Sequence, residues 1–343
     1  MQAGTVRISN KRWNASPSPH LRDNVTTARL MRDVCVALLP ALVCGVYYFG
    51  LQALRVIVWC TVSAVAGEYA YQKLAKKPVR INDWSAVVTG LILACNLPAT
   101  APWWMCVIGA LIATVLIKQV FGGIGQNFLN PALGARTILM ISWATRMTAT
   151  MAAQPGLMTG VDTITVATPL AMQFHAEQSP FLISQMFWGN IPGMLGETSK
   201  AALILGGLYL YFRKVITWHI PATFIGTALI LFTIKYGTVY AADAGSQAAL
   251  YQILSGGLFL GAIFMATDYV TSPITPQGKI VMGIGCGVLL FVIREFNPSY
   301  PEGCSFAILL MNLVTPLIYR SFKPRIFGEQ PKEKAKAEVK VHA

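Results

Sequence analysis

Residues 103–117 read WWMCVIGALIATVLI, fifteen positions without a charged side chain. A helix needs about 20 mostly apolar residues to cross the bilayer core, and fewer if it is buried against other protein. This run therefore reads as a membrane span, and the rest of the chain agrees with it. Of 343 residues 55% are hydrophobic and 12% charged, against about 25% charged in a soluble globular chain. The 14 acidic groups are too few to coat two water-facing domains of the size that this length would suggest. The net charge of +13 can signal a nucleic-acid partner, but the basic residues gather at both ends around an apolar middle. That distribution reads as a polytopic membrane protein with the lipid bilayer as its partner and no nucleic acid.

Ten apolar segments lie near 33–51, 53–73, 83–97, 103–121, 129–145, 199–212, 218–235, 247–266, 278–293 and 303–320. The third, fifth and ninth are shorter and interrupted by Gly and Pro. Cytoplasmic flanks retain Lys and Arg. Placing the N-terminus inside puts both basic ends, Lys73, Lys76, Lys77, Arg80, Arg213 and Lys214 on that side, with Lys118, Arg136 and Lys279. In all, 22 of the 27 basic residues face inward. Only Arg55, Arg146, Lys200, Lys235 and Arg294 face outward. The expected fold is therefore all-α, with about ten transmembrane helices in two inverted five-helix halves and some helices broken or re-entrant. Its parts are a cytoplasmic segment 1–32, a first half 33–145, an extracytoplasmic loop 146–198, a second half 199–320 and a cytoplasmic disordered tail 321–343. Two stretches hint at an inverted repeat: GQNFLNPALGARTIL (125–139) with PEGCSFAILLMNLVTPLIY (301–319), and DWSAVVTGLILACNLP (83–98) with DYVTSPITPQGKIVMG (268–283). Inverted repeats with broken helices place their sites between the halves.

The seven cysteines show no CxxC pair and no histidine at ligand spacing, so they read as small core residues and no metal site is expected. The hydrophilic start before the first apolar run is expected to carry no cleavable signal peptide. No GxSxG, HExxH or paired-carboxylate hydrolase pattern occurs.

Three stretches can carry chemistry. In FGGIGQNFLNPALGAR (121–136), Gly122, Gly123 and Gly125 permit positive φ, and Pro131 suits an early helical position. Asn127 and Asn130 offer amides where a helix start exposes unpaired N–H groups. This reads either as a Gly-rich turn with an Asn cap or as a half-helix holding a planar heterocycle or an anion at membrane depth. VDTITVATPLAM (161–172) places Thr163, Thr165 and Thr168 in the outer loop with no adjacent base, and by composition it is a surface turn. Among the acids beside spans, Asp33 and Asp83 suit helix N-termini, and Glu68 lies near the inner surface. Asp268 stands among Thr267, Thr271 and Ser272 as a candidate cation or cofactor ligand.

SPSPHLR (16–22), GQNFLNPALGAR, DTITVATPLA and ATDYVTSPITPQG, in this order and spacing, resemble the RnfD/NqrB family of membrane subunits from ion-translocating electron-transport complexes. The resemblance covers about 16–320 and is closer to the RnfD type, because NqrB-like chains carry a longer N-terminal extension. It implies an FMN joined by a phosphoester bond to Thr168, with Asp162 as the upstream acid of the attachment motif. Val166 departs from the glycine common at that point. It further implies a separate flavin transferase and a non-covalent riboflavin bordered by Asn127, Asn130 and Pro131, with Asp268 opposite. The implied function is electron relay through two flavins, coupled to Na⁺ or H⁺ transport, in a ferredoxin:NAD⁺ oxidoreductase of the bacterial or archaeal cytoplasmic membrane. Its partners would be RnfA, RnfB, RnfC, RnfE and RnfG-like subunits. This chain has no nicotinamide or ferredoxin site of its own and acts as a relay within a translocase. The rival reading is a non-redox secondary transporter or channel for a small polar solute, which has no use for the Thr168 loop.

Overall fold

Gly50 decides the course of the first helix. In the computed structural model, which describes residues 25–153, 166–170, 181–239, 242–297 and 302–323, helix α1 (Thr27–Leu74) has 48 residues. At 1.5 Å per residue that is about 72 Å, more than twice the roughly 30 Å bilayer core. Gly50 breaks the helix at φ 66° and ψ −153°, a conformation open to glycine and strained for other residues. The two limbs coincide with the expected spans 33–51 and 53–73.

Helix α2 (Ser85–Cys95) is a half-length element of 11 residues, about 16 Å. Its start is fixed by Asp83, whose Oδ1 accepts from the Ser85 amide at 2.9 Å and the Ser85 hydroxyl at 2.7 Å. Helix α3 (Trp103–Leu111) continues as a π-helical stretch, Ile112–Gln119. Helix α4 (Pro131–Ser142), short α5 (Ala144–Thr148) and short α6 (Ile183–Trp188) follow. The second set consists of α7 (Lys200–Phe212), α8 (His219–Val239), α9 (Ala242–Leu254), α10 (Leu258–Leu260, extended by the π-helical Gly261–Met265), α11 (Pro276–Phe296) and α12 (Cys304–Ser321). No strand forms among the described residues. By length and composition Thr27–Leu74, His219–Val239 and Cys304–Ser321 are long and apolar enough to cross a membrane. Ala244–Leu254 and Leu258–Met265 meet the same criterion only as a pair, bent by 60°, the geometry of a broken span or a re-entrant loop. The chain is an all-α polytopic membrane protein with broken helices.

Two expectations change. The ninth segment is a full 21-residue helix, because Pro276 stands at its first turn, where the missing N–H costs nothing. Its glycines do not interrupt it; Gly283 and Gly287 lie against Thr223 and Thr227 of α8. Secondly, 83–98 and 268–283 are not equivalent. Asp83 begins the third span of its set, whereas Asp268 lies between the third and fourth of its own.

Contacts sort the helix ends onto two faces. On one, Arg213 Nη2 meets Asp33 Oδ2 at 3.1 Å, Lys279 Nζ meets Thr217 at 3.1 Å, and Tyr319 donates to the Ser272 carbonyl at 3.1 Å. Lys73, Lys76, Lys77, Arg80 and Lys214 stand on the same side and make it the basic face of the protein. On the opposite face Tyr48 donates to the Trp188 carbonyl and Thr100 to the Ala149 carbonyl, and Lys235 pairs with Glu295.

The helices before and after the 146–198 stretch share some packing relations and also pack on each other. The second limb of α1 packs on α2 and α3, as α8 packs on α9 and α11; the first limb packs on α7, and α4 packs on α12. Small residues allow the close crossings that lipid-embedded helices depend on. A Cβ at Gly90 of α2 would lie 2.8 Å from Thr61 Cα and 3.0 Å from the Cys60 carbonyl oxygen. Gly90→Val is accordingly expected to destabilise the protein by about 1–3 kcal/mol through overpacking. Thermal unfolding in detergent checks this, and an unchanged midpoint would mean that α2 can move off α1 freely. Of the cysteines, Cys60, Cys95, Cys106, Cys286 and Cys304 are buried and Cys35 and Cys44 half-buried, as core residues are.

Candidate functional site

Local rules place Asn130. It caps α4, its Oδ1 accepting from the Ala132 amide at 3.1 Å and the Leu133 amide at 3.3 Å, with Pro131 in the first turn. That is the Asn-cap reading of this segment. The capping side chain also reaches across the interface between the two sets, since Nδ2 donates to the Met265 carbonyl at the end of α10, at 3.2 Å. The loop before it turns through Gly122, Gly123 and Gly125 at φ 123°, 97° and 89°. Asn127 is tied by a 3.0 Å bond to the Leu129 carbonyl.

Asn127, Asn130, Pro131 and Asp268 line one cavity of about 110 Å³ at the basic face. Its other polar groups are Ser85, Thr89, Lys118, Thr267 and Tyr269, and Leu30, Val34, Ile92 and Phe264 are among its apolar walls. Asp268 Oδ2 accepts from the Thr271 hydroxyl at 3.2 Å. Below Lys118 lies a buried polar cluster. Lys118 Nζ meets Glu68 Oε2 at 2.7 Å and the Ser85 hydroxyl at 2.6 Å. Glu68 Oε1 accepts from Gln119 at 2.8 Å and Gln72 at 3.2 Å. Glu68 is thus a buried ion-pair member, not a surface acid, and Lys118 is its partner rather than a free flank charge.

Thr168 occupies a separate cavity of about 260 Å³ at the opposite face, shared with Thr150, Thr198, Lys200, Glu197 and Glu302. Its segment is held by mutual bonds between Thr150 and Val166, whose amide donates to the Thr150 carbonyl at 3.0 Å and whose carbonyl accepts from the Thr150 hydroxyl at 2.6 Å. The Pro169 carbonyl accepts from Tyr251 at 3.0 Å. Asp162 lies outside the described residues, as do Thr163 and Thr165.

Between the cavities stands Arg136, 1% exposed. Nη1 donates to Asn96 Oδ1 at 2.7 Å and Ser305 Oγ at 3.0 Å; Nη2 meets Glu197 Oε1 at 3.2 Å and Glu302 Oε2. Arg136 is therefore not an inward flank charge but the hub of a buried network drawing on both sets of helices. Sequence reading missed this network, although an arginine six positions into an apolar helix is itself the signal that buried partners exist. Asn96 also approaches Met265 Sδ at 3.8 Å, so the Asn130–Met265 contact and the Arg136 hub adjoin.

A family model described as "NQR2, RnfD, RnfE family" matches residues 14–328. The chain is 46% identical over 326 residues to the D-type subunit of the Na(+)-translocating ferredoxin:NAD(+) oxidoreductase complex of Acetobacterium woodii, covering 94% of this chain and 98% of that one. It is 41% identical over 332 residues to the D-type subunit of the proton-translocating ferredoxin:NAD(+) oxidoreductase complex of Clostridium ljungdahlii, with 94% and 98% covered. To the D-type subunit of the ion-translocating oxidoreductase complex of Halorhodospira halophila it is 40% identical over 342 residues, with 90% and 94% covered.

Proposed function

Because the chain belongs to the NQR2, RnfD, RnfE family, we propose that it is the flavin-carrying membrane subunit of an ion-translocating ferredoxin:NAD⁺ oxidoreductase. It is a multi-pass subunit of an Rnf-type complex, with the other subunits as its partners. In this reading RnfA, RnfB, RnfC, RnfE and RnfG-like chains surround it, and the basic face lies in the cytoplasm, as charge bias favours. The opposite face is then extracytoplasmic, where a flavin transferase would act on Thr168. The names of the relatives span both Na⁺ and proton transport, and either ion is compatible with this role.

The observation that carries this reading is the Thr168 cavity. Thr168 shares this cavity with Lys200 and with Thr198, whose buried hydroxyl has no hydrogen-bond partner among the described residues. A cavity that offers an ammonium and an orphaned donor suits a phosphate-bearing group. FMN held there would accept and pass on one or two electrons. The chain's own part is to hold the attachment segment through Thr150 and Tyr251 and to supply the polar cavity wall. Asn127, Asn130, Pro131 and Asp268 remain the proposed border of a non-covalent riboflavin. Their cavity of about 110 Å³ falls below the roughly 300 Å³ at which small-molecule pockets begin. It therefore accommodates only an edge of a tricyclic ring.

The test is a denaturing gel viewed for flavin fluorescence, on full-length chain made in cells with the flavin transferase. Wild type is expected to give a fluorescent band and Thr168→Val none, a complete loss. A dark wild-type band would overturn the reading and favour solute transport; a fluorescent Thr168→Val band would move the attachment point.

A further inference from the structure

The charges around the Thr168 cavity do not cancel. Arg136, Arg294 and Lys200 face two carboxylates, Glu197 and Glu302, among the described residues. Arg136 engages both carboxylates. Arg294 spends its donors on the carbonyls of Glu302, Gln252 and Ser255. Lys200, fully buried, bonds among the described residues only to the carbonyls of Glu197 at 2.6 Å and Thr198 at 3.4 Å. Glu197 attracts this ammonium without an ion-pair contact among the described residues, and buried charges are normally paired in contact. Thr198, 1% exposed, adds a hydroxyl with no partner among the described residues. Both stand at the start of the 13-residue helix α7, whose dipole favours an anion there.

We propose that Lys200 and Thr198 form a phosphate subsite which receives the phosphodiester of the flavin carried by Thr168 and holds it against the start of α7. The phosphodiester adds negative charge to a cluster with an excess of positive charge, and the Thr198 hydroxyl gains a partner. Glu197 and Glu302 line the same cavity; Arg136 engages one oxygen of each, and neither makes an ion-pair contact with Lys200 among the described residues. This inference rests on the flavin reading of Thr168, and it gives Lys200 and Thr198 a positioning role.

The two states of the protein respond to Lys200→Met in opposite ways. Full-length chain in detergent, made with and without the flavin transferase, is compared by thermal unfolding. In wild type, loading is expected to raise the midpoint. Lys200→Met is expected to leave the flavin-free midpoint unchanged or higher, because a buried charge without an ion-pair contact is gone. The same variant should lose the gain on loading while its gel band stays fluorescent. Thr198→Val should reduce the gain without lowering the flavin-free midpoint. A Lys200→Met protein destabilised in the flavin-free form, with the gain on loading intact, would show that the lysine merely ties two carbonyls and would overturn the subsite. Inorganic phosphate added to the flavin-free chain separates the subsite from the flavin reading. If the wild-type band is dark yet phosphate raises the midpoint in wild type and not in Lys200→Met, the subsite stands while the flavin reading falls. A dark band with no phosphate effect sinks both.

Discussion

Replacing Arg136 by methionine is expected to destabilise the protein by about 3–5 kcal/mol, because it strands two carboxylates in the interior. The side chain has the length to fill the space, so the loss is electrostatic and not a cavity effect. One guanidinium serves four partners, with Nη1 on Asn96 and Ser305 and Nη2 on Glu197 and Glu302. These residues come from the turn after α2, the start of α12, the loop before α7 and the residues just before α12. Losing the hub therefore loosens both sets of helices together. Arg136→Lys is expected to recover only part of the loss, since an ammonium is a point charge and cannot reproduce a planar fork. The check is the thermal midpoint of purified protein in detergent, where a fall of about 5 °C or more is expected. A midpoint near wild type would mean that Glu197 and Glu302 are neutral or solvated without the arginine.

The second large effect lies at the basic face. Lys118→Met removes the partner of Glu68, whose side chain is 2% exposed, and leaves its carboxylate only the amides of Gln72 and Gln119. The expected cost is again about 3–5 kcal/mol. Here, unlike at Arg136, a single compensating change exists. Glu68→Gln in the same chain removes the stranded charge, so the double variant should be more stable than Lys118→Met alone. The coupling between the two positions should exceed about 1 kcal/mol in a double-mutant cycle. Strictly additive losses would mean that the 2.7 Å contact contributes nothing and that each residue acts through other neighbours.

Local signals in the sequence account for the features that were read correctly. The boundary between the first two spans fell within a few residues of Gly50, because an apolar run too long for one crossing must turn somewhere. The Asn130–Pro131 helix start was legible because capping is decided within four residues. The gathering of basic residues on one face was legible as well, although Lys118, Arg136 and Lys200, counted as flank charges, are buried, with Lys118 and Arg136 each paired to a distant carboxylate. Those two failed for one reason: a count of basic residues does not distinguish a lysine in water from one whose carboxylate arrives from 50 positions away. The Arg136 network draws on Asn96, Glu197, Glu302 and Ser305, at separations of 40 to 169 residues, and no local pattern announces such a meeting. Segment nine was underestimated because its glycines look like breaks until the neighbouring helix that needs them is in place. Grouping Asn127, Asn130 and Asp268 came from family resemblance; periodicity offered no reason to bring the start of α4 to the end of α10.

The corner at Gly50 also bears on how the protein is made. The chain reverses at one residue, so no hydrophilic connector exists to park on the far side while the second limb emerges. Both limbs are therefore expected to enter the lipid together, as a hairpin, instead of one after the other. A truncation ending near residue 50 would leave a helix without the partner that fixes its tilt. The same corner splays the limbs enough for a wedge-shaped apolar opening lined by Leu39, Val43, Leu54, Ile57 and Leu91. Insertion as a hairpin thus brings the two limb walls of that opening together, and α2 completes it with Leu91.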